Sequence, residues 1–315
     1  MRTLESECFA SLGDVMVRGK GMWQAQPVKD LMSGIPGFGN YPGNPIFVDP
    51  VGGDDAWDGT FPVHQASTLE GPKLTFGAAL VVAVDRDVIL VGYGDLTEDN
   101  LVITQRGLKV FGPDSSGLQR GGALFIGTTK DILTIKAHDV ELAGLGFYQT
   151  GAKACISIAE NPAHYWRTHI HHNGFSGEAG SWGIRAGAVA AEAPYTIVEW
   201  CRFYNLLAGA IRLNSSMMVV QDCLFDVPNG AIGIEDVPNG SSRPDRSILR
   251  NKFKALGATA VGIQVTNTPD PGQLLIDDNR FAGFADAAHC CDVSGSGKTG
   301  LMGLNYFGIT AIPIS

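Results

Sequence analysis

The sequence is poor in charge, because Asp, Glu, Lys and Arg make up only 17% of its 315 residues. An average soluble domain has about 25%. So little charge argues against coiled coils and long surface helices, which need charged residues to solvate an outer face. The net charge of −9 includes no dense cluster of Lys and Arg, so nucleic acid is not expected as a partner. The longest apolar run, residues 78–84, is far shorter than the roughly 20 residues of a membrane-spanning helix, so no membrane insertion is expected.

Cysteine motifs, cofactor motifs and targeting signals are also missing. The six cysteines fit no zinc pattern and are too few for a disulfide scaffold of this length, so they are predicted to be free, buried thiols. The adjacent Cys290 and Cys291 are predicted to be packing residues rather than a redox pair. Residues 295–300 lack the upstream glycine of a phosphate-binding loop and are predicted to form a turn, so no cofactor is expected. No basic stretch followed by an apolar run opens the chain, and no signal peptide is expected.

Glycine is the residue in excess. The chain has 41 glycines, about 13% of its residues, where about 7% is average. Hydrophobic residues reach 44%, which supplies a sizeable core and excludes wholesale disorder. Much glycine, many apolar residues and little charge together favour β-structure with many turns.

The second half of the chain repeats itself. Phenylalanines recur at intervals of 22 to 28 residues. They are Phe147, Phe175, Phe203, Phe225, Phe253, Phe281 and Phe307. A period of about 20 to 50 residues is typical of a stacked array, and short strands separated by Gly, Asn, Asp and Pro leave no room for a helix. The pattern therefore predicts a β-solenoid, in which each coil buries its inner face by stacking on its neighbours.

Equivalent positions of the repeats predict how the coils stack. Two residues before each phenylalanine the chain has Asn or Cys: Asn173, Cys201, Cys223, Asn251, Asn279 and Asn305. Because coils lie about 4.8 Å apart, we expect an asparagine ladder at a left-handed turn, with Cys in the same slot. One residue earlier, Asp222, Arg250 and Asp278 alternate in sign, which predicts a charge ladder. The phenylalanine rings are predicted to stack inside.

The first part of the chain has a different signature. A strand around Phe47 leads into a turn rich in Gly and Asp that ends at Asp58 and Gly59. The apolar segment 74–84, the one predicted helix, comes next and is followed by further strands. This order resembles the start of the pectate-lyase-like right-handed parallel β-helices, whose turn and helix cap the open end of the solenoid. The resemblance covers residues 46–315 and implies an all-β, right-handed parallel β-helix of about ten coils.

Residues 1–45 lie outside this pattern and are predicted to form an extended N-terminal arm, because Gly, Pro and Asn dominate residues 34–45. Bacteriophage virion proteins share the β-helix fold. The resemblance to them implies a structural virion protein, either a capsid decoration (cement) protein or a short, tailspike-like spike. Residues 1–45 would bind phage capsid or tail proteins, and residues 46–315 would project outward as a homotrimer. The protein would be made in the host cytoplasm and reside on the virion surface, with no metal.

Two alternatives place carbohydrate on the β-helix, with a host surface glycan as the partner. The first is a polysaccharide lyase or glycoside hydrolase, a depolymerase that works in a groove beside Asp222, Glu235, Asp236 and Asp278. A glycosidase needs two carboxylates about 5 to 9 Å apart, although the same residues also fit a charge ladder and solvated turns. The second is a carbohydrate-binding β-helix without chemistry, which would use exposed aromatic residues. Its candidates are Trp166, Trp182, Trp200 and Tyr204.

Two groups of residues have metal-ligating side chains, but neither forms a complete site in the sequence. His169 and His171 point to the same side of a strand, yet no carboxylate or cysteine lies near them in sequence, so a histidine patch facing solvent or a neighbouring subunit is predicted. Four aspartates of the turn before the helix would suit calcium, and turn formation is the simpler interpretation. They are Asp49, Asp54, Asp55 and Asp58.

Overall fold

The protein is a parallel β-helix in a computed structural model that describes residues 43–66, 68–113, 122–158, 167–186, 195–214, 217–237, 246–266, 274–293, 301–307 and 310–311. Its strands form three long sheets, here called A, B and C, of ten, ten and eight strands. Most coils contribute one strand to each sheet, and each strand pairs in parallel with the equivalent strand of the next coil, except Thr310–Ala311, which pairs antiparallel with Tyr306–Phe307. The solenoid of about ten coils is therefore confirmed. No helix within the described ranges is long and apolar enough to cross a membrane.

The strands are short, as expected when the chain turns a corner after each one. Sheet A consists of Pro45–Val48, Val88–Val91, Lys109–Phe111, Glu141–Ala143, His169–His171, Ile197–Glu199, Val219–Gln221, Arg246–Leu249, Leu274–Asp277 and Leu301–Met302. Sheet B consists of Gly94–Thr97, Ala123–Gly127, Leu145–Gln149, Gly174–Gly177, Arg202–Tyr204, Leu224–Val227, Lys252–Ala255, Arg280–Ala282, Tyr306–Phe307 and Thr310–Ala311. Sheet C consists of Leu101–Ile103, Leu133–Ile135, Ala154–Ile158, Trp182–Ala186, Gly209–Leu213, Ile232–Asp236, Val261–Val265 and Cys291–Asp292.

The predicted stack of phenylalanine rings lies in the interior, along sheet B. Neighbouring rings are nearly parallel, and their centroids are 4.6 to 5.3 Å apart from Phe125 to Phe281. The rings are fully buried or nearly so. The spacing of the rings matches the separation of paired strands, so an aromatic residue at the same position of successive coils stacks on the next one; Phe307, the last of the predicted stack, is only partly buried.

The asparagine ladder is also confirmed, but its residues do not take the left-handed conformation. Asn251 donates its side-chain amide to the carbonyl of Val220 and to Oδ1 of Asn279, at 3.0 and 3.1 Å. Asn279 does the same one coil further on, with Asn305. From the corner at His172 to the corner at Asp278, the residue with positive φ is the one before the ladder position, such as Arg250 at 55°. The ladder side chains are buried and bind the backbone of the neighbouring coils, so the preceding residue makes the turn.

A helix covers the amino-terminal end of the solenoid, where the sequence predicts it. It spans Phe76–Val82, and Thr75 caps it by accepting a hydrogen bond from Ala78 N. Glu98 accepts from the backbone N–H groups of Phe76 and Gly77, each at 2.8 Å. These bonds satisfy N–H groups that have no partner within the helix.

A second helix, Ala287–Cys290, is absent from the sequence prediction of a single helix. Asp286 caps it by accepting a hydrogen bond from His289 N at 2.9 Å. Four residues are too few to show a helical repeat of apolar residues, which needs a window of about 11 residues.

Candidate functional site

The structure does not bring the four predicted acidic residues together. Asp222 and Asp278 lie at the corner between sheets A and B, two coils apart, and Arg250 binds Asp222 through Nε and Nη2 at 3.0 and 2.7 Å. Asp236 points into the interior, where it pairs with Arg246 at 2.6 Å. Only Glu235 lies on the outer face of sheet C. Glu235 and Asp236 therefore do not share the predicted groove, because successive residues of a strand point to opposite faces.

A column of polar side chains crosses the outer face of sheet C. The sheet register places Arg185 beside Arg212, then Glu235, Gln264 and Asp292 on successive coils. With about 4.8 Å between paired strands, these five residues extend over roughly 19 Å. Ser157 and Thr134 occupy the same register position on the two preceding coils, so the sheet C column continues a longer run of hydrogen-bonding side chains.

Arginine–carboxylate pairs hold the sheet C column in place. Arg212 Nε lies 3.0 Å from Glu235 Oε2, and Arg185 Nη2 binds both carboxylate oxygens of Asp131 at 2.7 and 2.9 Å. Gln264 Nε2 donates to Asp292 Oδ2 at 3.4 Å. Fixed donors and acceptors of this kind are what a surface needs to orient a polar ligand.

Glu235 differs from the arginines of the column in its burial. Its side chain is 13% exposed, whereas the side chains of Arg185 and Arg212 are 35% and 44% exposed. Burial raises the pKa of the Glu235 carboxyl, and the Arg212 guanidinium offsets only part of that rise. A carboxyl whose pKa moves towards neutrality is suited to donate a proton.

Trp182 lies beside the column. A Cβ atom at Gly209, its neighbour on the next coil, would be 2.5 Å from Cζ3 of the indole, so the ring lies directly over the glycine backbone. The guanidinium carbon of Arg212 is 6.0 Å from the ring centroid, at the outer limit of a cation–π contact. Trp182 is half-buried, and it gives the column a flat, partly apolar side.

The other aromatic candidates do not join Trp182 on sheet C. Trp200 is exposed at the corner between sheets A and B, and its ring centroid is 6.3 Å from that of His172. Tyr204 lies on sheet B, and Trp166 falls outside the described residues. Trp200 is therefore exposed as predicted, but the described candidates lie on different parts of the solenoid and do not form one aromatic surface.

His169 and His171 lie side by side on the outer face of sheet A, as predicted, with ring centroids 4.2 Å apart. His171 is nearly buried, so the patch is only partly solvent-facing. Two neighbouring coils supply the carboxylates that the local sequence lacks. His171 Nε2 is 3.1 Å from Glu141 Oε1, and His169 Nε2 is 2.8 Å from Glu199 Oε1. Glu141 precedes His169 by one repeat and pairs with it in the sheet, so the repeat alignment was the signal that could have found it.

The carboxylates of this cluster are held in the ionised form. Burial alone would raise the pKa of Glu141, but hydrogen bonds from His171 and Lys109 outweigh it and lower the pKa to about 2. The hydrogen bond from His169 lowers the pKa of Glu199 to about 2 as well. Burial and the neighbouring His171 lower the pKa of His172 to about 4, so its imidazole is neutral at pH 7.

The low pKa of Glu141 makes a prediction for stability. A carboxylate whose pKa is about 2 in the folded protein, against its ordinary 4.5, stabilises the fold above pH 4.5. That stabilisation is lost as the pH falls towards 2. We expect Glu141→Gln to lower the urea midpoint at pH 7, and the difference from the parent protein to shrink between pH 4.5 and pH 3. A difference that stays constant over this range would contradict the assigned pKa.

The aspartates of the amino-terminal turn cap backbone N–H groups, as the simpler interpretation predicts. Asp49 accepts from Val51 N and Gly52 N at 3.0 and 3.1 Å. Asp55 accepts from Leu74 N and Thr75 N at 2.9 and 2.8 Å. The other two aspartates also accept backbone hydrogen bonds: Asp54 accepts from Ala56 N, and Asp58 accepts from Thr60 N.

The cysteines in the described residues are buried and free, as predicted. They are Cys155, Cys201, Cys223, Cys290 and Cys291. Burial raises the pKa of Cys290 and of Cys291 to about 12, which leaves almost no thiolate at neutral pH. Cys8 lies outside the described residues.

Solved structures share this architecture, although no family model matches the sequence and no curated protein matches it. A pectin methylesterase from Aspergillus niger aligns over 87% of this chain and 91% of its own, at 12% identity and a TM-score of 0.54. A rhamnogalacturonan lyase aligns over 76% of this chain and 74% of its own, at 12% identity and a TM-score of 0.51. Identity this low shows a shared fold and no more. The likeness shows that the chain has the pectate-lyase-like right-handed parallel β-helix fold.

Proposed function

We propose that this protein cleaves a polysaccharide bound along the outer face of sheet C, with Glu235 as the proton donor. The observation that carries the proposal is the Glu235 carboxyl itself. It lies in the middle of a surface column, paired with Arg212 at 3.0 Å, and burial raises its pKa. Cleavage of a glycosidic bond needs such a group, because the leaving oxygen must receive a proton.

The surroundings of Glu235 suit a sugar chain. The indole of Trp182 offers an apolar face, and such faces pack against the C–H faces of sugar rings. Arg185, Arg212 and Gln264 offer donors for hydroxyl or carboxylate oxygens, at a spacing of about 4.8 Å set by the coils. The fold neighbours are a pectin methylesterase and a rhamnogalacturonan lyase, which is consistent with a carbohydrate substrate.

Asp292 is the second carboxylate of the proposed site, and the sequence analysis did not select it. It lies two coils from Glu235 in the sheet C column, so the two backbones are about 9.6 Å apart. An inverting glycosidase separates its two carboxyl groups by about 6.5 to 9.5 Å, which leaves room for a water molecule. Asp292 would activate that water while Glu235 protonates the leaving oxygen.

The test is cleavage of a panel of neutral and uronate-rich polysaccharides, measured as new reducing ends and as unsaturated sugar products. We expect the parent protein to cleave one member, and Glu235→Gln and Asp292→Asn each to lower the rate by at least about 100-fold. Asp226→Asn is the matched control, because Asp226 is a carboxylate paired with Arg202 on sheet B. Its rate should equal that of the parent protein.

Two results would overturn the proposal. Binding without any product would support the carbohydrate-binding alternative instead, and full activity in Glu235→Gln would move the site elsewhere. Unsaturated products would identify a lyase, in which a base removes a proton from the sugar. The virion role predicted from the sequence stays a prediction, because the fold neighbours give it no support.

A further inference from the structure

We propose a binding site for a divalent transition-metal ion on the outer face of sheet A, formed by Glu141, His169 and His171. One oxygen or nitrogen atom from each of these side chains lies within 4.8 Å of the other two. The three residues come from neighbouring strands, so the sheet fixes their backbones in register. The site is independent of the proposed polysaccharide site, which lies on sheet C.

The chemistry of the three groups favours a borderline metal ion such as Zn²⁺. Two imidazoles and one carboxylate are a frequent ligand set for Zn²⁺ and for Fe²⁺, and they leave coordination positions for water. Hard ions such as Ca²⁺ and Mg²⁺ prefer sites made wholly of oxygen. The ligand atoms would be Nε2 of both histidines and Oε1 of Glu141, because these atoms already make the contacts of the cluster.

Surrounding side chains orient the ligands. His171 Nδ1 is 2.9 Å from Nδ1 of His172. In the tautomer of His171 that has its proton on Nδ1, this contact is a hydrogen bond to His172, and the Nε2 lone pair of His171 faces the site. Lys109 holds Oε2 of Glu141, the oxygen that faces away from His171. Outer contacts of this kind are typical of metal sites and fix the tautomer of the ligating histidine.

The metal ion would replace protons that now join the ligands to carboxylates. Without a metal ion, His171 Nε2 contacts Glu141 Oε1 and His169 Nε2 contacts Glu199 Oε1, and a hydrogen bond at either contact requires a proton on the histidine nitrogen. On binding, both Nε2 lone pairs turn to the metal and the released protons pass to solvent. Glu199, which Gln221 holds at 2.6 Å, then accepts a hydrogen bond from a water on the metal.

The experiment is titration of untagged, chelator-dialysed full-length protein with ZnCl₂ by calorimetry, and with CoCl₂ by visible absorption. We expect one equivalent of each ion to bind, with d–d bands for Co²⁺. Substitution of a residue that only contacts a metal ligand costs about 10- to 100-fold in affinity, so His169→Gln and His171→Gln, which remove direct ligands, should each cost at least about 100-fold. His289→Gln is the matched control, because His289 also contacts a carboxylate, Asp286, at 2.7 Å; its affinity should not change.

The proposal fails if the parent protein does not bind one saturable equivalent of the ion. It also fails if both histidine variants bind the ion with the same affinity as the parent protein. Circular dichroism checks that each variant is folded. His171 is nearly buried, whereas the side chain of His169 is 36% exposed. If His171→Gln does not fold, His169→Gln therefore decides the question alone.

Discussion

Replacing Phe225 by Ala is expected to lower the free energy of unfolding by about 3 to 5 kcal/mol, the usual cost of deleting a buried aromatic ring. The ring is 1% exposed. It stacks between Phe203 and Phe253, with centroid distances of 4.9 and 4.6 Å. Both neighbours lose a contact face when the ring is removed. The parallel strands on either side cannot close the gap, because the backbone ladder fixes their separation.

The measurement is equilibrium unfolding in urea, with Phe61→Ala as the control. Phe61 lies in the amino-terminal turn and is 39% exposed, so its removal should cost much less than that of Phe225. Each coil of a solenoid contacts only its neighbours, and a gap in the middle of the stack should therefore also broaden the transition. Equal losses in the two variants would show that the ring stack does not stabilise the fold.

Replacing Asp236 by Ala is the second change with a large expected effect, about 3 to 5 kcal/mol of destabilisation. Asp236 and Arg246 have side chains that are 0% and 3% exposed, and they are 2.6 Å apart. Removal of the carboxylate leaves the Arg246 guanidinium buried without its opposite charge. Urea unfolding at pH 7 measures the loss.

Two further variants separate the loss of a counter-charge from the loss of an ordinary ion pair. Asp222→Ala removes the exposed pair with Arg250 and should cost no more than about 1 kcal/mol. The double variant Asp236→Leu with Arg246→Met replaces the buried pair by apolar groups and should regain most of the stability. If Asp236→Ala lowers the free energy of unfolding no more than Asp222→Ala does, burial of the Asp236–Arg246 pair does not increase the cost of removing its carboxylate.

The architecture was predictable because it depends on equivalent positions of a repeat. Phe225 and Phe253 stack because one residue recurs at one place in each coil, and Asn251 and Asn279 form a ladder for the same reason. A period read from the sequence therefore gives the register of the strands directly. The helix Phe76–Val82 was predictable from its apolar run and its place before the first coils.

The candidate sites were less predictable, because they depend on the direction of single side chains. Glu235 and Asp236 are neighbours in sequence, yet one lies outside with Arg212 and the other lies inside with Arg246. The order of residues alone gave no reason to expect a charged side chain in the core. Asp292 was missed because a short helix, Ala287–Cys290, directly precedes its strand. In the other coils a turn joins sheet B to sheet C, so the repeat pattern is interrupted at this point.

Carboxylates from another coil were missed for a different reason. Glu141 lies six residues before Phe147, as His169 lies six residues before Phe175, so the two residues pair in the sheet although a full repeat separates them in sequence. A search for metal ligands confined to one segment finds the histidines and not their partner.

The corners of the solenoid also set where the chain can change in length during evolution. Two residues, His172 and Asn173, join a strand of sheet A to the next strand of sheet B, and Arg250 and Asn251 do the same three coils later. One inserted residue there would turn the following strand inside out and remove a rung of the ladder. The connections from sheet C to sheet A differ in length from coil to coil, for example after Ile135 and after Asp236. Insertions and deletions can therefore accumulate in these connections, beside the sheet C column, while the strands of the coil keep their register.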